Sequence, residues 1–115
     1  MKNVISDKSF EFAIKIVMLA RELKEESREY VLANQLLRSG TSIGANIAEA
    51  QQAQSRKDFI SKMSIALKEA HENKYWLRLL ERVDHERVTK YRALLDEVEE
   101  IIRILASIVK TSKEN

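Results

Sequence analysis

Cysteine and proline are absent from this chain, and glycine occurs only twice, at Gly40 and Gly44. Without cysteine there are no disulfides and no thiolate chemistry, and a reducing compartment is permitted. β-Rich folds need many turns, and turns draw on glycine and proline. Their scarcity predicts long helices with few connections. No uncharged apolar run approaches the ~20 residues needed to cross a bilayer. The opening run MKNVISDKSFEF is charged throughout and lacks the apolar core of a signal peptide. A cytoplasmic protein without a membrane partner is the expectation. There is no linker, low-complexity tract or internal repeat.

What is present suits one folded domain over residues 1–115, with 44% hydrophobic and 33% charged residues. The net charge of +2 is small, so the distribution of charge must decide whether nucleic acid is a partner.

Residues 30–53 organise the rest. Leu32, Leu36, Ile43, Ile47 and Ala50 recur at helical spacing and form one apolar face. Gly40, Gly44 and Ala48 form a second line with almost no side-chain bulk. Each mid-helix glycine costs about 1 kcal/mol relative to alanine, and close approach of a neighbouring helix backbone, at Gly44 above all, is the expected compensation. The Gly40–Gly44 segment either continues the helix or breaks it into two. It is not a phosphate loop, since it lacks the Gly-Lys-Ser/Thr ending and a preceding strand. A third line is polar: Arg38, Ser42, Asn46 and Glu49 fall within roughly 80° of arc. Glu49 is expected to be a buried carboxylate paired with Asn46 or with a group on another helix, the polar line fixing helix register or a subunit contact.

At these residues the chain resembles a known family. The run Gln35-Leu36-Leu37-Arg38-Ser39, then Ser42-Ile43, then Asn46-Ile47-Ala48-Glu49, is similar to that of the small four helix bundle proteins. They were first noticed as reading frames within intervening sequences of 23S ribosomal RNA genes. The accessory variability determinant of diversity-generating retroelements is a relative. The family pattern is similar to R-x-x-x-S-I-x-x-N-I-A-E-G, and here Ala50 stands in place of the final glycine. The resemblance continues through Phe59, Ile65-Ala66, Glu69 and Leu77. It implies an up-and-down four-helix protomer and a ring-shaped homopentamer. In the retroelement relatives it also implies nucleic-acid binding and partnership with a reverse transcriptase.

Periodicity places four helices, at about 7–24, 30–53, 56–83 and 85–110. Ser6 or Asp7 is expected to cap the first, Ser55 with Asp58 the third in a capping box, and Asp84 the fourth. The first helix carries two apolar faces, one with Phe10, Ala13, Val17 and Ala20, the other with Phe12, Ile16, Leu19 and Leu23. On the third, Phe59, Met63, Ala66, Ala70, Leu77 and Leu80 form the core face, while Ile65, Trp76, Leu79 and Val83 lie off it. On the fourth, a seam from Val88 to Val109 is widened by Leu94, Ile101 and Ile108. Short connections make successive helices antiparallel, so the expected fold is all-α, an up-down-up-down four-helix bundle. The surplus apolar faces of helices one, three and four argue for a homo-oligomer closed by cyclic symmetry.

Chemistry is sparsely signalled. Metal sites in such bundles use Glu-x-x-His pairs, and none occurs; the two histidines are His71 and His85. No serine has a recognisable His and acid arrangement. No enzyme, metal or cofactor is therefore expected. The more suggestive pattern is on the third helix, where Lys57, Ser64, Lys68, His71, Tyr75, Arg78 and Arg82 fall within roughly 80° of arc with no acid among them. Residues 31–83 hold eight Lys/Arg against five Asp/Glu. A basic stripe interleaved with Tyr and His suits RNA or DNA phosphates with occasional base stacking. The bland alternative is a solvated helix face. The competing function is a ring that docks a partner protein, such as a reverse transcriptase, without touching nucleic acid.

Overall fold

The structure is a computed structural model that describes residues 3–114. Four helices span Val4–Glu26 (α1), Tyr30–Ala50 (α2), Arg56–Val83 (α3) and Val88–Glu114 (α4), and a 3-10 turn at His85–Arg87 leads into α4. Their contacts fix the directions. Gly40 meets Ile16 and Gly44 meets Ser9 across α1 and α2. Leu36 accepts from Asn73, and Glu49 pairs with Lys62, across α2 and α3. Lys74 pairs with Glu99 and Glu81 with Arg92 across α3 and α4. Lys8 pairs with Glu100 and Glu22 with Lys90 across α1 and α4. In every pair one residue number rises as the other falls, so neighbours are antiparallel and α4 returns beside α1. The fold is an all-α, up-down-up-down four-helix bundle measuring 46 × 24 × 20 Å.

The helix ends show how local chemistry chose the boundaries. Asn3, not Ser6 or Asp7, caps α1: its Oδ1 accepts from the Ser6 amide at 3.2 Å. This earlier start brings Val4 and Ile5 into the helix and buries Ile5 in the core. Glu29 caps α2 by accepting from the Leu32 amide at 3.4 Å. α2 then runs unbroken through both glycines. The hydroxyls of Thr41 and Ser42 donate back to the Leu37 and Arg38 carbonyls at 2.8 and 2.6 Å, so neither competes for a turn. The helix stops at Ala50, where the Gln52 and Ala53 amides switch to carbonyls three residues back.

Ser55 caps α3, accepting from the Asp58 amide at 3.1 Å. The Asp58 carboxylate answers at the Gln54 amide rather than at Ser55 itself. Asp84 makes no side-chain cap at the start of the last helical segment. Its Oδ2 is taken instead by the Tyr91 hydroxyl at 2.6 Å and Arg87 Nη1 at 2.9 Å. Arg87 is only 7% exposed, and it also donates to Glu22, Glu26 and Ser27 of the α1 end. A buried arginine is tolerable only when its donors are occupied, and here each guanidinium nitrogen has an oxygen partner.

All four helices contribute to one core, with Phe12 and Ile16, Leu36 and Ile43, Leu77 and Leu80, and Tyr91 and Leu105 among its fully buried side chains. Each such aliphatic or aromatic residue contributes about 1.5–3 kcal/mol relative to exposure. Asn73 and Ser39 are also fully buried, and the Asn73 amide donates to the Leu36 carbonyl and to Ser39 Oγ.

The two apolar faces of α1 part company. Phe12, Ile16, Leu19 and Leu23 enter the core, and Ala20 of the other face joins them. Of that other face, Ala13 and Val17 are half-buried and Phe10 is 66% exposed, with Met18 at 58% and Ile14 exposed beside it. On α4 the expected surplus disappears: Leu94 and Ile101 are buried within the bundle and Ile108 packs against its core. A helix wedged between two neighbours needs a wide apolar face, and α4 touches both α3 and α1. On α3, Ile65 and Val83 remain exposed while Trp76 packs against the core. The seam between α1 and α4 is bridged by charge, with Lys8–Glu100, Lys15–Glu97, Lys90–Glu22 and Arg87–Glu26 pairs in succession.

Candidate nucleic-acid interface

α3 packs against α2 on one side and α4 on the other, and its remaining arc faces outward. Lys57, Lys68, His71, Tyr75, Arg78 and Arg82 are all exposed on that arc, and Ser64 is half-buried. From Lys57 to Arg82 the row spans roughly 38 Å at 1.5 Å per residue. The structure thus places the six residues together on one face.

What neutralises the acids of α3 decides the electrostatics of that face. Arg38 of α2 donates through Nη1 to Glu69 at 2.8 Å and through Nη2 to Glu72. Trp76 Nε1 donates to the same Glu72 carboxylate at 3.1 Å. The Trp76 hydrogen bond, with Arg38 beside it, holds the Glu72 carboxyl below its usual range. The bond to Glu72 likewise raises the Arg38 guanidinium. Glu81 is held by Arg92 of α4 at 3.0 Å. Glu69, Glu72 and Glu81 are therefore each occupied by a cation from another helix. Lys57, Lys68, Arg78 and Arg82 form no ion pair with a carboxylate among the described residues. Lys62 and Lys74, which do pair, lie off the stripe.

The polar line of α2 resolves into two kinds of contact. Arg38 is the inter-helix clamp just described. Ser42 Oγ donates to the Arg38 carbonyl and Asn46 Nδ2 to the Ser42 carbonyl at 2.8 Å, both within α2. Glu49 is not buried: its side chain is 57% exposed and pairs with Lys62 of α3 at 3.0 Å. The expected partner on another helix is there, but the burial is not, because Glu49 sits where α2 ends at the rim of the bundle. That bond raises the Lys62 ammonium.

The role of Glu69, Glu72 and Trp76 in this face is not apparent from charge counting. Glu69 and Glu72 lie one turn apart beside the stripe, and that spacing is the signal that one cation from α2 could serve both. His71 and His85 are exposed and far apart in sequence, and no cluster of three or more His, Asp or Glu side chains able to hold a metal occurs among the described residues. No helix of the described residues is long and apolar enough to cross a membrane.

The family model for the 23S rRNA-intervening sequence protein matches residues 1–107. The chain belongs to that family. It is also similar to a crystal structure of a protein of unknown function from the S23 ribosomal protein family of Bacteroides thetaiotaomicron, with 53% identity and a TM-score of 0.89. The match covers 92% of this chain and 98% of that one. No curated protein matches. Membership of the 23S rRNA-intervening sequence protein family agrees with the motif around Arg38–Glu49 and brings a fold rather than a described activity.

Proposed function

We propose that this protein is a non-enzymatic, cytoplasmic nucleic-acid-binding protein that assembles as a closed homo-oligomer, a ring of five being the number the family resemblance implies. The observation that supports it is the division of charge on α3: Glu69, Glu72 and Glu81 are held by Arg38 and Arg92 from neighbouring helices, and Lys57, Lys68, Arg78 and Arg82 form no ion pair among the described residues. Four unpaired cations in an acid-free row attract a phosphate backbone regardless of base sequence. One such row is a weak site. Repetition around a ring turns later contacts into intramolecular ones and raises avidity.

Assembly is supported by Phe10, Ile14 and Met18, an exposed apolar row on α1. Beside it a shallow groove between α1 and α2 is floored by Ala13, Gly44, Ala45 and Ala48, small enough for another helix to approach. The same row favours a second reading, a ring that docks a partner protein such as a reverse transcriptase.

Fluorescence anisotropy across a salt series tests the first reading, with light scattering in parallel. The expected mass is a multiple of 13.3 kDa. Binding should weaken with salt, and removing each cation that neutralises a phosphate should flatten the slope of log affinity against log salt by about 0.7–0.9. A Lys68→Glu, Arg78→Glu variant should bind more weakly, with a flatter slope and unchanged size. If the wild type binds neither RNA nor DNA at low salt, the protein-docking reading replaces this one.

A further inference from the structure

Within the stripe, one aromatic ring is built as a platform. Tyr75 is 58% exposed at the middle of the densest part of the row, with His71 one turn before it and Arg78 one turn after it. Exposed tyrosines on helices usually swing freely. This one meets Trp76 edge to face, with ring centroids 5.1 Å apart and planes at 76°. Trp76 packs against the core and is anchored by its indole N–H on Glu72. Glu72 is anchored in turn by Arg38 of α2, which also grips the buried Glu69. A chain of contacts therefore runs from the bundle interior to the Tyr75 ring. Beside the ring, Tyr75, Arg78, Leu79, Glu81 and Arg82 line a surface depression, and its one carboxylate, Glu81, is paired with Arg92 of α4.

Resting on the nucleic-acid reading above, we infer that this face takes single-stranded nucleic acid, with a base stacked on Tyr75 and the adjoining phosphates on Lys68, Arg78 and Arg82. In a duplex the bases are stacked on one another and their faces are closed to an outside ring, so a platform of this kind contributes only on unpaired strands. Every base has a π-face, so stacking tolerates sequence and serves RNA and DNA alike. An ordered ring loses less conformational freedom on binding than a mobile one, which is what the Trp76–Glu72–Arg38 support supplies.

The test uses the full-length protein and four probes of equal phosphate count: an oligothymidine, an oligouridine, a mixed-sequence duplex and an abasic strand. Trp76 is the single tryptophan, so its emission reports events at the neighbouring Tyr75. Both base-bearing single strands should bind more tightly than the duplex and the abasic strand, and they alone should change Trp76 emission. Tyr75→Ala should weaken binding of the base-bearing strands by about 5- to 100-fold, a loss typical of one stacked base. It should leave abasic binding unchanged, and Tyr75→Phe should behave as wild type. Tyr75→Ala without effect, an equal loss on the abasic strand, or a duplex bound as tightly as the single strands would each overturn the platform. In those cases weaker binding by Lys68→Glu, Arg78→Glu would still uphold a phosphate-binding stripe. Failure of the wild type to bind any of the four probes overturns both readings.

Discussion

Gly40 stands so close to α1 that a Cβ built on it would lie 2.7 Å from Ile16 Cγ2 and 3.0 Å from Asn73 Nδ2. The second glycine is less crowded. A Cβ on Gly44 would meet Ser9 Oγ at 3.5 Å and the Ser9 carbonyl at 3.6 Å, ordinary contact with the α1 backbone. The two positions therefore separate by size of substituent. Gly40→Ala should destabilise the bundle, since overpacking costs about 1–3 kcal/mol and outweighs a helix-propensity gain of about 1 kcal/mol. Gly44→Ala should be neutral or stabilising by up to about 1 kcal/mol. Gly44→Leu should lose stability or assembly, since its branch would run into the Ser9 backbone. Chemical denaturation and light scattering on the three variants check this. Equal stability of Gly40→Ala and Gly44→Ala would contradict the packing.

Much of this fold is legible in the sequence because helix periodicity and scarcity of turn residues point the same way. Small residues at Gly40 and Gly44 likewise announce a close helix contact, whereas Ala48 at the end of that line is exposed. Polar burial is harder to see. Asn73 lies between Ala70 and Leu77 on the core line of α3, and that register is the available signal. A rule that assigns amides to the surface passes over it. Arg87 follows directly on a helix break, where no periodicity operates, and only the meeting of α1 and α4 buries it. Capping is ambiguous because Asn3, Ser6 and Asp7 are all competent; burial of Ile5 favours the earliest. The stripe of α3 is legible as a pattern. Its charge balance is not, because Arg38 and Arg92 reach it from other helices.

The α1–α2 connection holds a left-handed residue. Arg28 has φ 54°, a region that costs a residue with a Cβ roughly 1–2 kcal/mol. The turn is imposed by the Ser27 and Glu29 amides, which both donate to the Leu23 carbonyl. Arg28→Gly should therefore raise stability, by about 0.5–1 kcal/mol after subtracting the greater freedom of glycine in the unfolded chain. Arg28→Val should lower it, β-branched residues being least tolerant of this region. Thermal unfolding of the two variants should bracket the wild type, and the opposite order would exclude a strained turn.

The charged knot that joins α1 to α4 makes the bundle sensitive to acid. Hydrogen bonds from Lys90 and then Arg87 hold the Glu22 carboxyl below its ordinary value of 4.5. Burial pushes Asp84 upward, but the bonds from Tyr91 and Arg87 outweigh it and leave this carboxyl below 3.8. A carboxyl depressed in the folded state stabilises it fully above the unfolded value and loses that contribution as pH falls through the folded one. The contribution should be constant from neutral pH down to about 5 and decline below about 4.5. Glu22→Gln should unfold more easily at pH 7 and show a shallower fall in melting temperature between pH 5 and pH 3, in assays where the wild type falls steeply. Arg87→Met should cost about 1.5–3 kcal/mol at neutral pH, because it removes charge-assisted hydrogen bonds to the half-buried Glu22 and Asp84 carboxylates, which keep only Lys90 and Tyr91. It should also lose part of the acid dependence, since the Arg87 bonds to Glu22 and Asp84 are what protonation breaks. Parallel melting curves for wild type and Glu22→Gln across that range would place the acid sensitivity elsewhere in the molecule.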